Sequence, residues 1–424
     1  MRILFVSYAE KTHFQGMVPL AWALRAAGHE VVVASQPELM PTVASTGLPG
    51  VPLGRDHMLY QVTAWARRLD SAQEPGLFDV GERWPEHHSW ERLEEGFGSA
   101  VSLWWKVVND PWVAELVGFC RWWGPDLVLW EPVSFAGGVA AEVVGAVHGR
   151  VLWGMDLLGR MRSRFVDALA ARGGGRDPLA EWLGDRAGRA GGVFSERMVR
   201  GHFTVDPLPE VLGLGAVAGV ERVPVRYVPY NGPAVVPEWV SGGGVRVCVS
   251  LGTSVVERLG GYSSGVGGVL EGVAAAAGGG GVVAALPGYG GAVPAGVRSV
   301  SFVPLHVVVP GCGVLVDHGG PGTLLTGMAH AVPQVLLPGH HLDEPLMARR
   351  TADLGAAITL SSGEVSAGSV RETVERVLSE GSFAGRAAWL RDRMEEMPSP
   401  AAFAAGVEDL VDRHRASLSR GWVS

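Results

Sequence analysis

The segment VLVDHGGPGTLLTGMAH, residues 314–330, carries the densest chemistry in the 424-residue chain. An apolar run ends at Asp317, His318 with Gly319 and Gly320 forms a flexible turn, and Gly322 and Thr323 open a helix behind Pro321. A strand, a glycine-rich turn and a helix N-terminus make an anion site, because unpaired N–H groups and the positive end of the helix dipole converge there. Thr323 can add a hydroxyl and His318 a ring donor to a phosphate oxygen. Pro321 has no N–H and only presets the helix start. The same spacing also serves a plain packing turn between strand and helix. It matches neither GxGxxG nor GxxxxGK[ST], which excludes a Rossmann dinucleotide fingerprint and a Walker loop here.

Three weaker groups accompany it. VCVSLGTS (247–254) ends a strand in Gly252, Thr253 and Ser254, whose small hydroxyls can reach a phosphate. HHLDEPLMARR (340–350) places Asp343 and Glu344 at a helix start. Carboxylates are favoured there simply as caps, and they could equally accept from sugar hydroxyls. The adjacent His340 and His341 point to opposite faces of an extended run, which argues against a metal site. No aspartate-x-aspartate pair of the kind that holds a metal with a diphosphate occurs in the chain. His13 is expected in the loop after the first strand, and Glu131 follows the strand DLVLW. A histidine oriented by a carboxylate is a general-base arrangement.

Positioning these residues requires two α/β halves. Residues 2–6 (RILFV) and 31–34 (VVVA) read as strands flanking a helix at 16–27, a unit that implies a parallel sheet. Residues 126–130 are a further strand, followed by a helix at 137–147. Residues 55–123 differ: Trp65, Trp84, Trp90, Trp104, Trp105, Trp112, Trp122 and Trp123 crowd into a stretch without period-2 runs. Helices and long loops are expected there, as the core of a helical insertion or as a hydrophobic surface for an acceptor or partner. Residues 207–244, rich in proline and glycine, read as a linker. A second series follows, with strands at 245–250, 282–286, 299–303, 313–317, 334–337 and 356–360. Helices lie between them, and a last helix spans about 402–418. Two such halves predict a cleft between the C-terminal ends of their strands.

Composition narrows the function. Hydrophobic residues make up 47% and charged residues 18%, an ordinary globular balance. A net charge of −8 with scattered basic residues excludes a nucleic-acid surface. Three distant cysteines, Cys120, Cys248 and Cys312, form neither a disulfide framework nor a metal site. No apolar run reaches the roughly 18 residues of a membrane helix. With no signal peptide at MRILFVSYAEK, a soluble cytoplasmic protein without membrane insertion is expected.

Taken together, the segments MRILFVSYAEKTHFQGMVPLAWALRAAGHEV, PDLVLWEPVSFAGGVAA (125–141), VSLGTS (249–254) and DHGGPGTLLTGMAHAVPQVLLP (317–338) resemble GT-B fold glycosyltransferases of family 1 type. The likeness is to the actinobacterial branch that attaches deoxysugars to macrolides and anthracyclines. It implies two Rossmann-like domains: 1–220 for the acceptor, with 55–123 as an insertion, and 221–400 for the nucleotide sugar. Residues 401–424 would form a helix returning to the N-terminal domain. In the resemblance His13 is the general base and Glu131 its orienting carboxylate. His318, Gly319, Gly320, Gly322 and Thr323 take the diphosphate beside Thr253 and Ser254, and Phe302 and Val303 line the base. Members of the branch commonly carry Asp-Gln where this chain has Asp343-Glu344. The extra carboxylate reads either as a solvated helix start or as an acceptor for a sugar amino group, which would favour an aminodeoxysugar.

The reaction implied is inverting and metal-independent, with no cofactor. A thymidine diphosphate (TDP) deoxysugar serves as co-substrate and a polyketide aglycone as acceptor, in antibiotic biosynthesis. A heme-thiolate-monooxygenase-like auxiliary activator is a further implied partner, and a homodimer stays open. The alternatives are a nucleotide-sugar epimerase on the same fold and a non-catalytic regulator or scaffold that binds sugar nucleotides.

Overall fold

The computed structural model describes residues 1–62, 84–233, 235–241, 244–252, 265–278 and 281–420. The chain divides after Arg226: described residues up to that point, with those from Met397 on, form one unit, and Tyr227–Glu396 form the other.

The first unit is built on a seven-stranded sheet: β1 (Arg2–Val6), β2 (Glu30–Ser35), β3 (Gly50–Pro52), β4 (Leu127–Trp130), β5 (Val147–Val151), β6 (Phe203–Asp206) and β7 (Glu221–Pro224), in the order β3-β2-β1-β4-β5-β6-β7. Every pairing is parallel, with Phe5 between Val33 and Leu129 in register. The central strands are continuous apolar runs because helices cover both faces of a parallel sheet. Ile3, Leu4, Phe5, Val6 and the whole of β4 are buried. Helix α1 (Lys11–Ala26) joins β1 to β2. Helix α2 (Trp90–Ala100) runs on through a π turn at Val101–Trp105 to Asn109, α3 (Val113–Trp123) follows, and α4 (Phe135–Val144) joins β4 to β5.

The second unit carries β8 (Val247–Ser250), β9 (Val282–Ala285), β10 (Val297–Val300), β11 (Val314–Asp317), β12 (Gln334–Leu336) and β13 (Ala357–Thr359). All are parallel, in the order β10-β9-β8-β11-β12-β13. Helices α5 (Pro321–Ala329) and α6 (Glu344–Asp353) follow β11 and β12. The last helix, α7 (Pro400–Arg420), belongs to the first unit, where it packs on α1 and pairs Arg415 with Asp126 and His414 with Glu221.

Three expectations need correction and one open choice is decided. Helix α1 begins at Lys11 and not at 16, so His13 lies in its first turn and the strand-to-helix loop is short. The helix start is set by Glu10, whose side chain accepts from the Thr12 N–H at 3.3 Å. A carboxylate cap of this kind is hard to see among residues of modest helix propensity. The presumed linker contains β7, an edge strand on which Pro224 is tolerated, and Leu208 and Leu212 are core residues. The tryptophan-rich stretch is largely core: Trp104, Trp105, Trp112 and Trp123 are buried, while Trp122 is 78% exposed and Trp65 lies outside the described residues. Finally β10 ends at Val300, three residues short of the expected end, because Ser301–Pro304 turns toward the short helix Leu305–Val308. Among the described residues no helix is long and apolar enough to cross a membrane.

Candidate active site

In both sheets the strand order reverses at the centre, between β1 and β4 and between β8 and β11. Loops leaving the C-terminal ends of such strands diverge to opposite faces and open a ligand crevice. The chemistry-bearing residues sit at these two points.

At the first point, His13 from the start of α1 meets Glu131, the residue after β4. His13 Nδ1 lies 3.1 Å from Glu131 Oε2. The Glu131 side chain is fully buried, and its backbone N–H donates to the Val6 carbonyl at 3.2 Å, tying it to the end of β1. Oε2 also accepts from the Val133 N–H at 3.2 Å, and Oε1 accepts from the Ser134 hydroxyl. Three donors thus converge on one carboxyl. With Glu131 Oε2 accepting from the Nδ1–H, the ring lone pair is on Nε2. Trp153 stacks on the ring with centroids 4.0 Å apart, and Tyr8 meets it edge-on at 5.4 Å. The ring is thus fixed in plane and tautomer, with its side chain 10% exposed. A held imidazole with one free basic nitrogen is suited to removing a proton.

At the second point, Gly319 has φ +79°, which folds the chain back so that its N–H donates to Asp317 Oδ1 at 2.7 Å. The His318 ring lies between Gly252, after β8, and Gly320. A Cβ at Gly252 would come within 2.8 Å of Nε2, and one at Gly320 would overlap the ring outright. Helix α5 starts at Pro321 with Gly320 as N-cap and no side-chain cap. Among the described residues nothing lies within 4 Å of a Cβ built on Gly322. Burial pushes the His318 imidazole down to about 4, the Ser250 carbonyl partly opposing it, so the ring is neutral near pH 7. Burial also raises Asp317 to about 8, and among the described residues its Oδ2 has no hydrogen-bond partner. A turn free of full negative charge beneath an uncapped helix N-terminus can accept an anion.

The remaining expected residues are placed as follows. Thr253 and Ser254 lie outside the described residues. Asp343 is buried at the N-cap position of α6, after Leu342 at φ +47°. Glu344 Oε1 is 4.0 Å from His318 Nε2, so these residues gather beside the glycine turn. Phe302 is 45% exposed, but Val303 is buried among Cys248, Leu305 and Leu315 and presents no side chain to a ligand. Alternation beyond the end of β10 turns Phe302 outward and Val303 inward. Sequence reasoning missed Trp153, Tyr8 and Ser134. Only the Glu-x-x-Ser spacing at 131–134, just before a helix, offered a signal.

Among the described residues one group has metal-ligand spacing: Glu142, His148 and His202. The Trp130 indole N–H donates to His148 Nδ1 at 3.1 Å. That nitrogen therefore holds the lone pair, and the ring proton sits on Nε2, 3.1 Å from Glu142 Oε1. Arg197 pairs with both Glu142 oxygens at 2.9 and 3.0 Å. With its histidine protonated on the inward nitrogen and its carboxylate already neutralised, the cluster is an ion-pair network and not a ligand set.

Two parallel-sheet units, each with polar residues at its strand-order reversal, define a GT-B glycosyltransferase, and solved structures agree. The glycosyltransferase VinC in complex with DTDP superposes with a TM-score of 0.84 at 32% identity, covering 97% of this chain and 100% of that one. The spinosyn forosaminyltransferase SpnP gives 0.79 at 33%, covering 97% and 99%. The family models for the N-terminal and C-terminal domains of erythromycin biosynthesis protein CIII-like proteins match residues 22–252 and 283–410. The chain belongs to this family of glycosyltransferases. It is 41% identical to the 10-deoxymethynolide desosaminyltransferase of Streptomyces venezuelae, over 98% of both chains. It is also 41% identical to the erythronolide mycarosyltransferase of Saccharopolyspora erythraea, over 98% of this chain and 100% of the relative. The TDP-daunosamine transferase DnrS of Streptomyces peucetius is 39% identical over 99% of each.

Proposed function

We propose that the protein transfers a deoxysugar from a thymidine diphosphate donor to a hydroxyl of a polyketide aglycone of macrolide or anthracycline type, with inversion and without a metal. The observation that carries this reading is the pair of His13 with the buried Glu131, held at 3.1 Å at the strand-order reversal of the first sheet. Relatives named for desosamine, mycarose and daunosamine transfer support the donor class. The VinC complex supports the nucleotide.

His13 Nε2 takes the proton of the acceptor hydroxyl as its oxygen attacks the anomeric carbon from the face opposite the diphosphate. Glu131 stabilises the imidazolium that forms. Such base assistance is worth about 10²–10⁴ in rate. Negative charge grows on the leaving diphosphate. It is met by His318, by the Gly320 N–H and by the α5 dipole, fixed donors that need no reorganisation. Asp343 and Glu344, beside His318, hold sugar hydroxyls, and Phe302 offers an exposed ring for the base. The reaction takes place in the cytoplasm.

The test is to incubate the protein with a TDP-deoxysugar, with and without aglycone, and to follow TDP release with a chelator present. Acceptor-dependent release is expected. Product formed without acceptor would point to an epimerase. No turnover despite nucleotide binding, even with the heme-thiolate-monooxygenase-like activator supplied, would point to a regulator. Sedimentation of the same sample reads out a homodimer.

A further inference from the structure

Ser134 occupies the N-cap of α4, a position where a serine hydroxyl ordinarily accepts from the first turn. Here it makes no such bond. The capping is done from another element: Asn109 Oδ1 accepts from the Ala136 N–H at 2.9 Å, and Asn109 Nδ2 donates to the carbonyls of Trp105 and Val133 at 2.9 and 2.8 Å. Asn109 ends the helical turn that follows the π turn at Val101–Trp105. Ser134 is thereby freed from the helix. Its Oγ accepts from the Tyr8 N–H at 2.7 Å. A backbone N–H can only donate, so the serine proton must point the other way, to Glu131 Oε1. Ser134 and Glu131 are fully buried and Tyr8 nearly so. No water can replace this donor.

We infer that Ser134 is a positioning residue of the base, the third member of a chain running from His13 through Glu131 to Ser134 and anchored at Tyr8. This rests on His13 acting as the base. The hydroxyl holds the carboxylate in the rotation that faces His13 Nδ1 and disperses its charge. Tyr8 closes the arrangement, since its N–H fixes Ser134 while its ring edge packs on the imidazole. Without the hydroxyl proton the carboxylate keeps its full charge beside the imidazolium formed in the reaction, which the pH dependence of the rate reads out.

The experiment compares Ser134→Ala, Ser134→Cys and His13→Ala, all checked for folding by circular dichroism. A lost hydrogen bond to a buried charge predicts that Ser134→Ala lowers kcat about 10- to 100-fold. KM for donor and acceptor should stay within about twofold, since the side chain touches neither substrate. The acidic limb of the rate–pH profile should move up by about one pH unit. Cysteine keeps the volume but donates weakly, so Ser134→Cys should show the same shift in milder form even if alanine collapses the loop. Full kcat and an unmoved acidic limb in either folded serine variant would overturn the inference. His13→Ala separates the two layers: if it loses activity while the serine variants do not, the relay is wrong and the base stands. If His13→Ala keeps its activity, the base assignment itself is wrong.

Discussion

Asp317 offers the sharpest test of the glycine turn. Its side chain is fully buried at the end of β11, Oδ1 accepts from Gly319 N–H at 2.7 Å, and Oδ2 has no partner among the described residues. Burial raises it to about 8 from an ordinary 3.8. The folded chain therefore keeps a proton that the unfolded chain gives up across this window. Stability attached to this group is full below pH 3.8 and is lost progressively until about pH 8. The slope is about 1.4 kcal/mol per pH unit. Asp317→Asn keeps the shape and the acceptor for Gly319 but cannot ionise, so it removes the slope. The advantage of the asparagine variant should grow by about 1.4 kcal/mol per unit between pH 5 and 8. For a unit the size of Tyr227–Glu396 this widens the Tm gap by about 3–6 °C per pH unit. Thermal unfolding of both proteins at pH 5, 6, 7 and 8 measures the gap directly, with all other groups cancelling in the difference. A gap that stays constant over this range would refute the reasoning, because it would mean that Asp317 is already ionised and compensated at pH 5. Binding of TDP should follow the same logic, weakening above pH 8 in the parent and not in Asp317→Asn.

Three further outcomes are expected. His13→Ala should lower turnover by about 10²–10⁴ with TDP affinity by calorimetry nearly unchanged; a collapse of nucleotide affinity at normal turnover would remove the base assignment. His318→Ala should weaken TDP binding about tenfold or more, the loss of one hydrogen bond to a charged group, and unchanged affinity would count against its phosphate role. Gly320→Ala puts a Cβ onto the His318 ring, so the ring must leave its place. The variant should bind TDP as poorly as His318→Ala while circular dichroism stays that of the parent.

Both halves of the fold were legible from local pattern. RILFV, LVLW, VCVS and VLVD are continuous apolar runs, and a strand buried on both faces tolerates little else. Helix ends and edge strands were less legible, since caps such as Glu10 and pairings such as β7 with β6 depend on contacts the local pattern does not encode. Val303 shows the limit at one residue: its chemistry suits a ligand pocket or a core equally, and only the turn after β10 chooses the core.

By itself the sequence determined which residues could act: an imidazole after the first strand, a carboxylate after the strand DLVLW, and a His-Gly-Gly turn before a helix. Spacing along a chain says which residue types are available, not which atoms meet. Only the tertiary structure brought His13, in a helix, to Glu131, 118 residues away, placed Trp153 on its ring, and turned Ser134 from cap to carboxylate partner because Asn109 had taken over the cap. Parallel strands joined by helices set side by side segments far apart in sequence, so the orientation and tautomer of the base are properties of the packed sheet.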